Sequence, residues 1–420
     1  MAGQRRIAPR LLAGHERSIA MPHPTHHTYD VVIIGGAIFG SSVAWWLTQM
    51  AGFDGRVLVV ERDPTYEFAA TSHTNSCIRQ QFSSSINVQV SQFGAEFIKN
   101  FRRFMGDDPE VPHLALQSFG YLYLADTPEF AKTLQQNQKI QMALGAGTQH
   151  MTPAEVAAAY PFYQLDDILA ANHNRVDEGY FDGGTMFDWF KRMARRNGVE
   201  YLHDEVTAMT KAPGGKSVTH VRLKSGATVA CGTVVNASGP RAAATAGMAG
   251  ITLPVEPRKR YTFVFDAAKP LDRDLPLTID PSGVHFRTEG KYYMAGCPPY
   301  EDPAVAYDDF AFDHSLWEDK VWPAIATRVP QFDQVKVINE WVGHYDYNTL
   351  DQNAIVGPHS VVENFLCLNG FSGHGLQQAP ALGRGIAEWI AYGAYRTLDL
   401  SPYAYRRIEQ NQSLIEKAVI

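Results

Sequence analysis

The run Gly35-Gly36-Ala37-Ile38-Phe39-Gly40, with Glu61 about twenty residues further on, holds the residue types that bind a dinucleotide. A tight glycine turn brings backbone N–H groups against a pyrophosphate. The start of a following helix adds about half a positive charge toward it. A carboxylate at Glu61 would accept the hydroxyl protons of a ribose. Ala37 stands where the GxGxxG pattern has its middle glycine, and its methyl group is the smallest possible intrusion. Glu61 favours a free ribose 2′-hydroxyl, as in FAD or NAD, whereas Arg62 beside it argues for a 2′-phosphate. Alone, the hexapeptide does not separate FAD from NAD.

Other groups with chemistry lie far from it in sequence. A second glycine loop runs Asn369-Gly370-Phe371-Ser372-Gly373-His374-Gly375-Leu376. Arg79, in Ile78-Arg79-Gln80-Gln81-Phe82-Ser83, could hold a substrate carboxylate in a bidentate pair or serve a structural ion pair. Cys77, Cys231, Cys297 and Cys367 have neither CxxC nor zinc-ligand spacing, so no metal site is expected. Ser372 lies in Gly-Phe-Ser-Gly-His, an incomplete nucleophile elbow, and a serine hydrolase is not supported.

Each group needs an element to aim it. Tyr29 to Ile34 is a nearly continuous apolar run, the pattern of a parallel strand buried on both faces. A helix from Ser41 to Met50 and a second strand from Arg56, ending on Glu61, complete a dinucleotide-binding unit. One helix is expected from Asn87 to Phe104, with Phe93, Phe97, Phe101 and Phe104 as a core stripe. A β-ribbon of His220–Leu223 and Thr228–Cys231 should lead into a separate strand from Thr233 that closes on Ala237, Ser238 and Gly239. Arg258, Lys259 and Arg260 begin the strand Tyr261–Phe265, either as a solvated charge run or with one of them facing the cofactor. Phe365–Leu368 and a helix from Gln377 to Ala391 flank the second glycine loop.

Taken together, these segments resemble the D-amino-acid oxidase superfamily of FAD-dependent oxidoreductases, the clan of sarcosine oxidase, glycine oxidase and dimethylglycine dehydrogenase. The matching stretches are YDVVIIGGAIFGSSVAWWL, VLVVERD, IRQQFS, EGYFDGGT, NGVEYLHDEVTAM, VVNASGP and NGFSGHGLQQAPALGRGIAEWI, which span residues 29 to 391. The resemblance implies a bound FAD. Gly35, Ala37 and Gly40 would take its pyrophosphate, with Glu61 on the ribose. Thr71 and Ser72 would approach the phosphates or ribityl chain, and Val206 would meet the adenine. Ala237 and Gly239 would pass close to the cofactor, and Gly373, His374, Gly375 and Leu376 would sit by the flavin.

Departures from the family also carry information. Sarcosine oxidase has a cysteine that holds FAD covalently, but Gly343-His344-Tyr345-Asp346-Tyr347-Asn348 has none, so the FAD is expected to be non-covalent unless His344 or His73 forms a link. Gln377 replaces a substrate-binding lysine, and no arginine stands near Tyr345 as in glycine oxidase. The resemblance implies hydride transfer from a carbon bearing an amine to flavin N5, and the imine then hydrolyses. Arg79, His344 and Tyr345 are the expected catalytic residues, with oxygen, a quinone or a partner protein as acceptor. Lys259, Lys269 and Arg79 are candidates for the cation that assists an oxidase reaction with oxygen. The alternatives are an FAD enzyme acting on a 2-hydroxy acid or modified tRNA, and a flavin-binding subunit of a larger complex.

The chain has 420 residues, 45% of them hydrophobic and 19% charged, an ordinary globular mix. Its net charge of −7 disfavours a nucleic-acid partner, and no apolar run is long enough to span a membrane. The expected fold is mixed α/β, an FAD-binding Rossmann-like domain interleaved with an antiparallel-sheet substrate domain. Residues 29–110, 175–245 and 341–400 would form the first, and 111–174 and 246–340 the second. Residues 1–28 read as a disordered tail and 401–420 as a C-terminal extension. The cysteine usage fits the cytoplasm, the arginine-rich start leaves organelle targeting open, and a homo- or hetero-oligomer is possible.

Overall fold

The computed structural model describes residues 23–417. Most of the expected tail, residues 1–22, lies outside them. Residues 23–27 are not a loose tail. The Thr25 N–H donates to Glu200 at 2.9 Å, and the first strand begins at Thr28.

Two sheets of eight strands organise the molecule. In the first, Thr28–Ile34 lies between Thr228–Asn236 and Val57–Glu61, both parallel to it, with Phe365–Asn369 and Glu200–His203 further out. Ile33 faces Val235 on one side and Val59 on the other. Odd and even positions enter different cores. Val31 and Ile33 pack under the helices Ile38–Leu47, Gly183–Arg196 and Gly375–Tyr392. Val32 and Ile34 pack under the ribbon Val206–Lys211 and Val218–Leu223. A strand covered on both faces needs an unbroken apolar run, and this one has it.

Some local expectations shift. The ribbon strand and the strand after it form one element, Thr228–Asn236, because its first half pairs with the ribbon while its second half pairs with Phe365–Asn369. The aromatic helix ends at Lys99, and a separate turn of helix covers Phe101–Phe104. The stripe is core nonetheless, with the Phe97 and Phe190 rings stacked 5.3 Å apart.

The second sheet runs, in order, Val335–Asn348, Val255–Ala267, Tyr292–Cys297, His285–Glu289, Leu277–Ile279, Tyr121–Ala125, Ala170–Asn174 and Gln149–Met151. Every pairing in it is antiparallel except that of Leu277–Ile279 with Tyr121–Ala125. Its edge strand crosses the boundary expected at 340/341, so residues 341–348 belong to this sheet. Arg258, Lys259 and Arg260 lie inside a thirteen-residue strand that starts at Val255, rather than at its beginning. Their side chains therefore alternate between faces.

Candidate cofactor and substrate site

A cavity of about 770 Å³ lies where the ends of the first sheet's strands meet the second sheet. Gly35 forms its floor at φ 96°, and a β-carbon there would overlap the Ala237 carbonyl oxygen. Only glycine serves at such a point. The Gly35 N–H donates to the Val60 carbonyl and the Ala237 N–H to the Ile34 carbonyl, each at 2.9 Å, which fixes the turn on three strands. Ala37 caps the first helix without a side-chain bond, and Thr71 accepts the Ile38 N–H at 3.3 Å. Ala37, Ile38, Phe39 and Thr71 all line the cavity.

Glu61 accepts the Gly36 N–H at 2.7 Å and the Asp63 N–H at 2.8 Å. Burial raises its carboxyl above the ordinary range, opposed by those two bonds. Arg62, Val206 and Gly239 line the same end of the cavity. Gly40, expected at the pyrophosphate, is not among the lining residues. A β-carbon there would overlap the Gly35 carbonyl oxygen, so its smallness serves helix–strand packing. Gly36 and Ser72 also stand behind the lining, and the Ser72 hydroxyl donates to the Tyr66 carbonyl at 2.7 Å.

The second glycine loop meets the first. Phe39 and Phe371 stack 3.6 Å apart, 10° from parallel. Asp346, to which sequence reasoning gave no role, accepts the Gly370 and Phe371 N–H groups at 2.9 and 3.2 Å. Gly373 adopts φ 95°, where a β-carbon would overlap the Tyr345 ring. His374 caps the helix Gly375–Tyr392, which begins two residues before the expected Gln377. No side chain bonds that helix end and its first turn holds no acid, so its positive end opens toward the cavity lined by Gly375 and Leu376.

Arg79 lines the cavity but is only 1% exposed. It donates to the Gln81 carbonyl at 2.6 Å and to His374 Nε2 at 2.8 Å, and its guanidinium lies 4.0 Å from the Phe82 ring centre. The expected open fork for a substrate carboxylate is thus turned into the protein, under the second glycine loop. Burial, with Arg79 alongside, holds His374 well below its usual range, so the ring is a neutral acceptor. Gln377 accepts the Arg79 backbone N–H at 2.8 Å.

His344 and Tyr345 both line the cavity. The His344 ring stacks 4.1 Å from Phe310, and its Nε2 donates to the Asp309 carbonyl at 2.8 Å. Burial lowers its pKa. Lys259 is tied to Asp309 at 2.6 Å and Lys269 is exposed, and neither lines the cavity. Arg260 does line it, 4.7 Å from the Tyr345 ring centre and paired with Asp302 at 2.7 Å. Asn75, Thr262 and His285 complete the roof. They were missed because their shared position depends on pairing between distant strands.

These features fit FAD. Glu61 and Gly35 would hold the ribose and pyrophosphate, and the end of Gly375–Tyr392 would lie at the flavin. Comparisons with known proteins agree. The DAO family of FAD dependent oxidoreductases matches residues 30–389. FAD-dependent oxidoreductase domain-containing protein 1 of Xenopus laevis is 38% identical, over 93% of this chain and 85% of that protein. Mitochondrial sarcosine dehydrogenase of Homo sapiens is 23% identical, over 92% of this chain but 42% of its own length. The crystal structure of L-proline dehydrogenase from P. horikoshii superposes with a TM-score of 0.80 at 26% identity, covering 92% of this chain and 99% of that one. The chain therefore belongs to the DAO family of FAD-dependent oxidoreductases, and FAD is its cofactor.

Proposed function

We propose that this oxidoreductase breaks the C–H bond beside the nitrogen of an amino acid or secondary amine, giving an imine that water hydrolyses. The observation that carries this reading is the roof, a mostly antiparallel sheet that covers the cavity and presents the neutral polar groups of Thr262 and His285, with Asn75 of the segment after Ala70–His73 bonded to both. FAD, when bound, would supply the two-electron acceptor for the hydride that leaves this carbon. The protein's part is to bind the amine, keep water away and accept its proton. A half-enclosed pocket favours the uncharged amine that must react. His344, neutral and with Nε2 committed to Asp309, keeps Nδ1 to receive that proton. Tyr345 orients the second glycine loop through its contact with Gly373.

The relatives support the reading without naming a substrate for this chain. Mitochondrial sarcosine dehydrogenase and the 4-methylaminobutanoate oxidase of Paenarthrobacter nicotinovorans, at 22% identity, are amine-oxidising by name. FAD is held without a covalent bond in this proposal, since His73 bonds the Ala69 carbonyl at 3.1 Å and His344 stacks on Phe310. All four cysteines are unpaired, which suits a reducing compartment.

The test is anaerobic bleaching of the purified yellow protein by N-methyl amino acids, D- and L-amino acids, opines and 2-hydroxy acids. Loss of the visible flavin band with an amine or amino acid is the expected result. Bleaching by 2-hydroxy acids alone would replace this reading with alcohol oxidation. A flavin that none of them bleaches would point to a binding subunit.

A further inference from the structure

Three strands of the roof place Thr262, Gly296 and His285 in one row. Thr262 pairs with Gly296, and Gly296 pairs with His285. Directly opposed residues share a face of a sheet, and Thr262 and His285 line the cavity. Gly296 leaves a gap between them. A β-carbon there would come within 2.5 Å of His285 Nε2.

Asn75 spans the gap. Thr262 Oγ donates to its Oδ1 at 3.3 Å, and its Nδ2 donates to His285 Nε2 at 3.0 Å. Its backbone carbonyl accepts from Arg287 at 2.9 Å and from Cys77 at 3.3 Å. The residue is therefore fixed at both ends, by three roof side chains and by Cys77. His285 can hold this role because it is neutral. Burial, then Arg287 and Arg260, bring its pKa down to about 4, so the ring is neutral through the physiological range; the bond from Asn75 Nδ2 to Nε2 places the ring proton on Nδ1, which is buried without a hydrogen-bond partner.

A carboxamide has two donor hydrogens and two acceptor lone pairs. The two roof bonds use one of each, which leaves one N–H and one lone pair on a fixed amide at the cavity wall. That pair complements a ligand carrying an acceptor beside a donor. A carboxylate next to an amine has this form.

We propose that Asn75 is the substrate-recognition residue of the site, its Nδ2–H meeting the carboxylate and its Oδ1 the amine N–H of an α-amino acid, with Thr262 and His285 as positioning residues. The proposal rests on the amine-oxidising reading and narrows it to amines bearing an α-carboxylate. It also removes the need for an open guanidinium. Arg79 is committed to His374 and Gln81, and Arg260 to Asp302.

The test uses 2-aminoisobutyrate, which has no hydrogen on the carbon beside its nitrogen and binds without reacting, and its N-methyl derivative, whose only such hydrogens are on the N-methyl group and whose binding is read anaerobically before any bleaching. Tert-butylamine, the same skeleton without the carboxylate, is the control. Binding to the FAD-loaded protein is followed by perturbation of the flavin spectrum. One of the two acids should bind the unaltered protein, and tert-butylamine should bind it at least about tenfold more weakly. Asn75→Ala should weaken that acid by about ten- to a hundredfold, the weight of one or two charge-assisted hydrogen bonds. Asn75→Asp should weaken it further by repelling the carboxylate. His285→Gln, which can still bond the amide, should bind within about threefold of the unaltered protein, whereas His285→Phe should resemble Asn75→Ala. FAD affinity, read from flavin fluorescence, should not change in any of them. Asn75→Ala binding the acid as tightly as the unaltered protein would overturn the role of Asn75 alone. Tert-butylamine binding as well as the acids would overturn the carboxylate. If neither acid binds and no amine bleaches the flavin, the parent reading fails as well.

Discussion

Arg79 shows how burial decides what a charged side chain does. A guanidinium 1% exposed, with donors committed to His374 and to the Gln81 carbonyl, is held as a fixed positive charge. It lies against His374 of the second glycine loop, which lines the cavity, and with FAD bound as proposed the flavin would gain negative charge there on reduction. A nearby cation stabilises the reduced form more than the oxidised one. Arg79→Met should therefore make the flavin midpoint potential more negative, by about 20–65 mV for a two-electron couple losing one to three kcal/mol of stabilisation. Arg79→Lys should recover part of the shift. Dye-equilibration titration of the FAD-loaded proteins measures it. A potential unchanged in Arg79→Met with FAD still bound would leave Arg79 a packing role only. His285 marks the opposite outcome of burial, since desolvation, with Arg287 and Arg260 alongside, keeps the ring neutral where it bonds the Asn75 amide.

At the level of elements, the second glycine loop is held by a carboxylate that pays heavily for its position. Burial lifts Asp346 to about 7, against the two backbone N–H bonds that favour its charge. In the unfolded chain this carboxyl ionises near the ordinary aspartate value, about 3.9. Between that value and about 7 the folded state binds the extra proton, so stability from this group is complete at low pH and is lost as pH rises toward 7. Above 7 the contribution is flat. Glu178, also raised to about 7 by burial, slopes the same way, so the two must be separated by substitution. Both N–H bonds fall on one oxygen of Asp346, and Asp346→Asn can keep them. The thermal midpoint of the unaltered protein should fall relative to Asp346→Asn from pH 4 to pH 7 and run parallel to it above. A constant offset across that range would refute the assignment. The loop itself was legible in the sequence, because glycines at 370, 373 and 375 between a buried strand and a helix are a local signal. Asp346 was not, because its partners lie more than twenty residues away, on a different element. Which of Arg258, Lys259 and Arg260 faces the cavity was left open in the sequence for a related reason, and Arg260 is the one that lines it. A charged run looks like a strand's approach until both faces of the strand are known to be lined by carboxylates such as Asp302 and Asp309.

For the whole molecule, parallel strand order explains how glycine clusters far apart in sequence serve one cavity. Thr228–Asn236 lies between Thr28–Ile34 and Phe365–Asn369 and is parallel to both, so the two loops leave the strands on either side of it at the same end of the sheet. That much follows from two strand–loop–helix signatures in the sequence. The roof does not, because Thr262, Gly296 and His285 share a row only once three strands are in register. The chain's last described residues were also hidden, since a polar stretch carries no periodic signal. Residues 401–417 are not a loose extension. Glu416, 6% exposed, accepts from Ser83 and from the Asn87 amide, and Arg407 pairs with the buried Asp351 at 3.0 Å. Asn87 bonds Asn353 at 2.8 Å, the Asn353 carbonyl accepts from Asn348 at 2.6 Å, and the Asn348 N–H donates to Ser372 at 3.0 Å. A continuous chain of hydrogen bonds thus runs from the C-terminal segment to the second glycine loop. Removing residues 411–420 leaves the Asn87 and Asn353 amides short of buried partners, a loss of about 2–4 kcal/mol. Flavin fluorescence on heating should then rise at a lower temperature, because the loop releases FAD before the sheets unfold. Tryptophan fluorescence, which follows the Trp45 and Trp46 core, should move less. Equal shifts in both signals would mean that the segment stabilises the whole fold without favouring the cofactor loop.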